Sequence, residues 1–417
     1  MGAAREWSGV VGSANHHADA ALLAQRGRPG GAPVPNNAAT DALAHRLDAA
    51  IERALGKSKI VGVVVLVFES GHGMYRRAAG YLDRETKRSM QTDAIFRLAS
   101  VTKPLVAATA LAMSEKGLIT LQDPINRFLP EFRPRLADGG TAMITVEQLL
   151  SHTAGFGYPS TVEANNPYNR TGISNGLDMP GRGMEENLQR LASVPLFHEP
   201  GTAWRYGMST DVLGAVIAKV HGGSLADAVE SYVTGPLGMD ETGFAVTDFS
   251  RLAVPYADGS PEPIRMPDPY SVRADANGEG TTFSPSRIFD RNSFQSGGAG
   301  MVGTADDFMR FLEAIRSGGA PILKPETVEI ASCNQIGDLA RDEEDAGWRF
   351  GFLSAVLAEP RPANTPQTVG SLDWGGAYGH FWWIDPKAKL SVASFSNTAF
   401  EGCSGGFRDE IRRAVYG

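Results

Sequence analysis

The chain has 417 residues, 42% hydrophobic and 21% charged, which is the balance of a folded globular protein and excludes a disordered or fibrous one. Its 47 acidic against 39 basic residues leave a net charge of -8, which repels phosphate backbones and argues against a nucleic-acid partner. No apolar run is long enough to span a bilayer, and two cysteines, Cys333 and Cys403, are too few for a stapled secreted scaffold, so they read as free thiols in a reducing, cytoplasmic setting.

At about 150 residues per domain, the length suggests two to three domains. Residues 1–38, rich in Gly, Ala, Pro and Asn, lack the apolar core of a signal peptide and read as a tail or arm. From Thr40, Leu43, Leu47, Ile51 and Leu55 recur at helical spacing until Gly56. Ile60 to Phe68 is nearly all apolar and β-branched, as expected of a strand buried on both faces. Gly71-His72-Gly73 then reads as a tight turn, with Met74 to Gly80 returning as a second strand. Ser100 to Lys116 has helical spacing, with Leu105, Ala108, Leu111 and Ala112 on one side and Gly117 as its stop.

From Leu118 to Ser250 the pattern is helical and loop-rich, with helices expected over Thr145 to Ser151, Met184 to Ser193 and Thr210 to Val220. Two stretches, Gly155 to Gly183 and Tyr256 to Ser286, are rich in Gly, Pro, Asn and Asp. Irregular segments of that length usually serve as functional walls or lids. Strand patterns return over Gly376 to Ile384 and Leu390 to Ser396, around a turn at Asp385-Pro386-Lys387, and Phe407 to Tyr416 closes as a helix. The expected class is α+β: an antiparallel sheet flanked by helices, from residues 39–118 and 288–417, with a mainly helical domain inserted at 119–287.

Three local patterns could carry chemistry. In Leu98-Ala99-Ser100-Val101-Thr102-Lys103, Ser100 stands at a helix N-terminus with Lys103 one turn on, on the same face. A serine hydroxyl becomes a good nucleophile when a neighbouring amine, kept neutral by burial, takes its proton. A bare Ser-x-x-Lys arises about once by chance in a chain of this length, and an N-cap serine followed by a solvated lysine reads the same. Trp204-Arg205-Tyr206-Gly207 sets a tyrosine at a helix mouth, where it serves either as a base or as packing. Trp374-Gly375-Gly376-Ala377 offers glycines that admit close backbone approach, and bare N–H groups suited to an oxyanion.

In this order and at these separations, the three patterns resemble the S-x-x-K, Y-x-N and K-T-G triplet of class C β-lactamases and penicillin-binding peptidases. The similarity is closer to family VIII carboxylesterases. It extends to Pro104, to Leu150-Ser151-His152-Thr153-Ala154-Gly155, to Ser296-Gly297-Gly298-Ala299-Gly300-Met301, and to a Trp-Gly-Gly in place of Lys-Thr-Gly. It spans roughly Asp41 to Tyr416 and implies a β-lactamase/transpeptidase-like fold. It also implies Ser100 as acylated nucleophile, Lys103 as its proton partner, Tyr206 as general base, and the Ser100 and Ala377 N–H groups as oxyanion hole. Tyr158, Trp374, Gly375 and Gly376 are expected to bind substrate. Met208 stands where the lactamases carry Asn, and Trp374 where they carry a lysine, which puts β-lactam turnover in doubt but not ester cleavage.

Gly402-Cys403-Ser404-Gly405-Gly406 fits the G-x-S-x-G nucleophile elbow, but that fold needs a histidine after the serine and none follows His380. The histidines show no metal-binding spacing, His152 reads as a hydrogen-bonded structural residue, and no phosphate- or dinucleotide-binding loop occurs, so no cofactor is expected. The expected function is a cofactor-free serine esterase acting on short- to medium-chain esters, with a small-molecule partner, no nucleic acid and no membrane. A β-lactamase or D-amino-acid peptidase of the same fold is one alternative. A non-catalytic module that acylates once, like a penicillin receptor, is another.

Overall fold

The computed structural model describes residues 38–159, 166–273, 280–341 and 346–417, so the expected N-terminal tail and parts of both long loops lie outside the described residues. Ala38–Gly56 (α1) is a helix that buries Leu47, Ala50, Ile51 and Ala54 along one stripe. Gly62–Glu69 (β1) and His72–Asp83 (β2) form an antiparallel hairpin. Its turn is Ser70-Gly71, one position earlier than Gly71-His72-Gly73, and both residues have positive φ (54° and 87°). That geometry matches the right-handed twist of the flanking strands, and His72 and Gly73 are free to join the ladder.

A two-residue strand at Arg88–Ser89 (β3) edges the sheet. The rest of it comes from much later in the chain: Trp348–Phe350 (β4), Ala355–Leu357 (β5), Leu372–Gly376 (β6), His380–Asp385 (β7) and Leu390–Ser396 (β8). The eight strands run antiparallel in the order β4-β5-β6-β7-β8-β1-β2-β3, so β1 pairs directly with β8, Val63 facing Ser396 and Glu69 facing Leu390.

The unbroken apolar run in β1 follows from this central place. Val63, Val65 and Val67 pack with Phe381, Trp383 and Val392 under α1 and the C-terminal helix Gly406–Tyr416. Val64 and Leu66 point to the opposite face, against Trp382, Ala393, Phe395 and the helix Ala305–Arg316, which supplies Phe308, Phe311 and Leu312. Each such side chain, fully buried, contributes roughly 1.5–3 kcal/mol, so both faces of β1 hold the sheet between its helices. Asp373 on β6 is buried and accepts hydrogen bonds from Arg408 (2.6 Å) and Arg412 (2.9 Å), tying the C-terminal helix to the strand that also carries Trp374.

One expected strand divides. Gly376 to Ile384 is two strands, β6 and β7, joined by Ala377-Tyr378-Gly379 with Gly379 at φ 119°, and Trp374 faces Trp382 across the new hairpin. Trp374-Gly375-Gly376 therefore ends a strand rather than starting one. The expected helices at 145–151, 184–193 and 210–220 appear as Val146–Leu150, Met184–Ala192 and Ser209–His221. Thr145 and Gln148 close a capping box at the first of these. The stretch Tyr256 to Ser286 is not structureless: Tyr256–Ala257 pairs with Ile264–Arg265, and Tyr270–Arg273 with Gly280–Phe283. Both cysteines are free thiols. Among the described residues no single helix is long and apolar enough to cross a membrane.

Candidate active site

Ser100 stands where an extended segment is forced into a helix. Phe96–Arg97 pairs with Val302–Gly303, the Leu98 N–H donates to Met301 O at 2.9 Å, and the chain then enters a tight turn, Ala99–Val101, that runs into the helix Thr102–Glu115. Ala99 has a left-handed backbone (φ 47°), a cost of roughly 1–2 kcal/mol for a residue with a Cβ. The neighbouring bonds hold it there, among them His380 Nε2 donating to Arg97 O at 2.8 Å. Burial pushes the His380 imidazole down to about 4, which keeps the ring neutral for this contact. The helix after Ser100 buries more than the one side its spacing suggests: every residue from Thr102 to Met113 is buried. Pro104 is tolerated because its first-turn N–H would have no helical partner.

Lys103, 5% exposed, reaches back to Ser100 Oγ at 3.1 Å and donates to Gly298 O at 2.8 Å. The Tyr206 hydroxyl donates to Ser100 Oγ at 2.7 Å. Three residues far apart in the chain thus meet at one oxygen, and the lysine side-chain nitrogen lies 4.7 Å from the centre of the Tyr206 ring. The Tyr206 ring is boxed in by His152 (5.0 Å), Trp374 (5.1 Å) and Tyr158 (5.4 Å), centroid to centroid. Burial drives Tyr158 well above the ordinary phenol range, with Tyr206 and Asp211 adding to it, so Tyr158 stays protonated. Burial also drives His152 well below its ordinary value, helped by Lys103 and Arg341, so its ring adds no charge to the site. His152 Nδ1 is buried without a hydrogen-bond partner, which departs from the expected hydrogen-bonded structural histidine.

Gly376 lies against the Ser100 turn. A Cβ there would run into the Leu98 carbonyl and come within 3.1 Å of Val101 Cγ2. Ala377 follows immediately, packed in the same cluster as Ala99. Gly375 faces His380 O and Cys403. Gly376→Ala is expected to push β6 off the turn, lowering stability by about 1–3 kcal/mol and kcat by at least about tenfold. Thermal melts and ester kinetics check this, and a parental melt would mean the strand is not seated as described.

Some contributors carried no sequence signal strong enough to single them out. Phe350 and Trp204 complete the aromatic wall, and the Arg341 guanidinium lies over the Trp204 (4.8 Å) and Trp374 (5.6 Å) rings. Asp211, in the first turn of the helix after Tyr206, is buried, which pushes its carboxyl above the usual carboxylate range while Lys103 opposes the push. Met208 is buried in the core and presents no polar group where the lactamases carry Asn. Ser404 lies in a turn before the C-terminal helix, bonded to the Phe400 carbonyl at 3.3 Å. Among the described residues no group of three or more His, Cys, Asp or Glu side chains is arranged to hold a metal.

The family model described as Beta-lactamase matches residues 47–415. The chain is 47% identical to Esterase EstB of Burkholderia gladioli over 90% of this chain and 95% of that protein. Its fold superposes with a TM-score of 0.89 on EstCE1, described as a hydrolase with promiscuous acyltransferase activity, at 42% identity over 91% of this chain and all of that one. Simvastatin synthase (LovD) from Aspergillus terreus, unliganded, shares the fold at TM-score 0.68 and 23% identity, covering 89% of this chain and 97% of that one. With a family match across nearly all of its described length and relatives this similar, the chain belongs to the beta-lactamase family.

Proposed function

We propose that the protein is a serine carboxylesterase of the family VIII type that works through an acyl-enzyme on Ser100. The observation that carries the reading is the contact of both Lys103 Nζ and Tyr206 OH with Ser100 Oγ. A neutral lysine amine keeps one N–H on Gly298 O and turns its lone pair to the serine proton. Ser100 Oγ then bonds to the ester carbonyl carbon, and the amide N–H groups of Ser100 and Ala377 receive the oxyanion. The C–O bond to the alcohol breaks as Tyr206 gives its hydroxyl proton to the leaving oxygen and takes the serine's proton on from Lys103. Water, giving its proton to the same pair, attacks the acyl carbon and frees the acid and Ser100. Ser100 and Lys103 fall in the two-part domain of residues 39–118 and 288–417, and Tyr206 in the helical insert 119–287. No cofactor takes part, and the cytoplasm suits an enzyme with free thiols.

Trp374 sets the substrate class. A neutral ring stands where the lactamase motif offers a lysine, and losing one charge-assisted contact to a carboxylate removes roughly 1.5–3 kcal/mol, about ten- to a hundredfold in affinity. The wall of Trp374, Tyr158 and Phe350 suits a neutral, short- to medium-chain acyl or alcohol group. kcat/KM for p-nitrophenyl butyrate is expected to exceed that for nitrocefin by at least about a hundredfold on one preparation. If nitrocefin wins, the missing lysine does not decide the substrate, and Arg341, stacked on Trp374, is the cation to remove next.

A further inference from the structure

The Ser296-Gly297-Gly298 segment belongs to a motif that the esterase reading leaves without a role. In the structure it wraps one buried carboxylate. Asp211 Oδ1 accepts the Ser296 hydroxyl and, at 3.2 Å, the Gly298 N–H. The fit leaves no room for side chains. A Cβ on Gly298 would lie 2.5 Å from Asp211 Oδ2, and one on Gly297 would run into the Thr210 carbonyl. The opposite edge of the same residue faces the site, because Gly298 O accepts from Lys103 Nζ at 2.8 Å. One residue thus carries the connection from carboxylate to amine.

Asp211 Oδ2 is buried and has no hydrogen-bond partner, although Asp211 is only 2% exposed. A buried carboxylate left half-satisfied is costly unless an opposite charge faces it. Burial pushes the Asp211 carboxyl above the usual carboxylate range, and Lys103, the Ser296 and Gly298 hydrogen bonds and Arg287 oppose that push. The groups that face Lys103 besides Asp211 are Tyr206 and Tyr158, whose rings it overlies, and His152, held neutral. Among these described groups Asp211 is the carboxylate.

We infer that Asp211 is a positioning residue for Lys103: through Gly298 it fixes where the amine sits, and it puts a carboxylate on the far side of that same residue. This rests on the esterase reading, in which Lys103 must be neutral to accept the Ser100 proton. An anion beside an amine favours the protonated form, so removing it eases proton loss. Asp211→Asn deletes the carboxylate charge and keeps its shape.

The experiment is the pH profile of kcat/KM for p-nitrophenyl butyrate on the parent, Asp211→Asn and Ser296→Ala. Asp211→Asn is expected to lower kcat about tenfold or more through the loosened amine, and to move the acidic limb to lower pH by at least about half a unit. Ser296→Ala keeps the charge while freeing the carboxylate of one bond, so it is expected to lower kcat several-fold with the acidic limb unmoved. A drop in activity with a parental limb in Asp211→Asn would overturn the inference, since a purely structural residue gives that result. Parental kcat in Ser296→Ala would overturn it too, and this variant decides alone should Asp211→Asn fail to fold by thermal melt. If instead the parent does not turn the ester over, or Ser100→Ala still does, the esterase reading itself falls, and the two failures are told apart on the same plate.

Discussion

Replacing Ser100 by alanine is expected to abolish ester turnover, a loss on the order of 10⁴-fold or more in kcat, while Ser404→Ala stays within about twofold of the parent. The reason is geometric. Ser100 Oγ is the atom on which Lys103 and Tyr206 converge, whereas the Ser404 hydroxyl is spent on the Phe400 carbonyl and has no base behind it. Removing the proposed nucleophile leaves only the proposed oxyanion donors and the pocket, which would sustain the residual rate of a site without covalent chemistry. Kinetics on both variants, with a fluorophosphonate label mapped by mass spectrometry, decides between the two serines. A label on Ser404 would overturn the assignment.

The second large effect concerns the proton partners. Tyr206→Phe and Lys103→Ala are each expected to lose at least about 10²-fold in kcat, as loss of general acid–base help does. Tyr206→Phe is the cleaner of the two. The ring keeps its contacts with His152, Trp374 and Tyr158, so the deletion isolates one hydroxyl at 2.7 Å from Ser100 Oγ. The double variant is expected to lose far less than the product of the single losses, because both groups touch the same Ser100 oxygen and the proposed mechanism uses them as one unit. Full activity in Tyr206→Phe would make the tyrosine a packing residue, and additive losses would mean that Lys103 and Tyr206 act in separate steps.

Local pattern made much of this legible beforehand. The spacing of Leu43, Leu47, Ile51 and Leu55 marks the first helix, and the unbroken valine run marks a strand with apolar neighbours on both faces. Ser-x-x-Lys, Tyr206 and Trp-Gly-Gly could be grouped only through their joint resemblance, in this chain order, to the β-lactamase-fold motifs, since each alone reads equally as a cap, a packing residue or a turn. The misses share a different cause. The break at Ala377–Gly379 lies inside a run of aromatic and apolar residues whose alternation continues on both sides, so periodicity alone cannot place the turn. Asp211 looks like an ordinary first-turn carboxylate on a helix, and only packing against residues some ninety positions later shows it to be buried. His152 kept its place in a motif, but an unpaired nitrogen is visible only when its surroundings are filled in.

The pairing of β1 with β8 bears on how the protein is made. The two strands at the centre of the sheet are separated by roughly 300 residues of intervening chain, and closing so long a loop carries an entropic cost that local contacts cannot repay early. A ribosome adding about 5–20 residues per second needs on the order of a quarter-minute to a minute to deliver β8 after β1 has emerged. Over that interval the apolar faces of β1 have no final partner, and the Gly376 end of β6 that backs the Ser100 turn does not yet exist. Esterase activity should therefore switch on late and abruptly, once residue 396 is free to pair with β1, rather than build up as the helices form. The same wait leaves a valine-rich strand open to chaperones and to neighbouring chains, so slower elongation between the codons of β1 and β8 should cost yield before it costs specific activity.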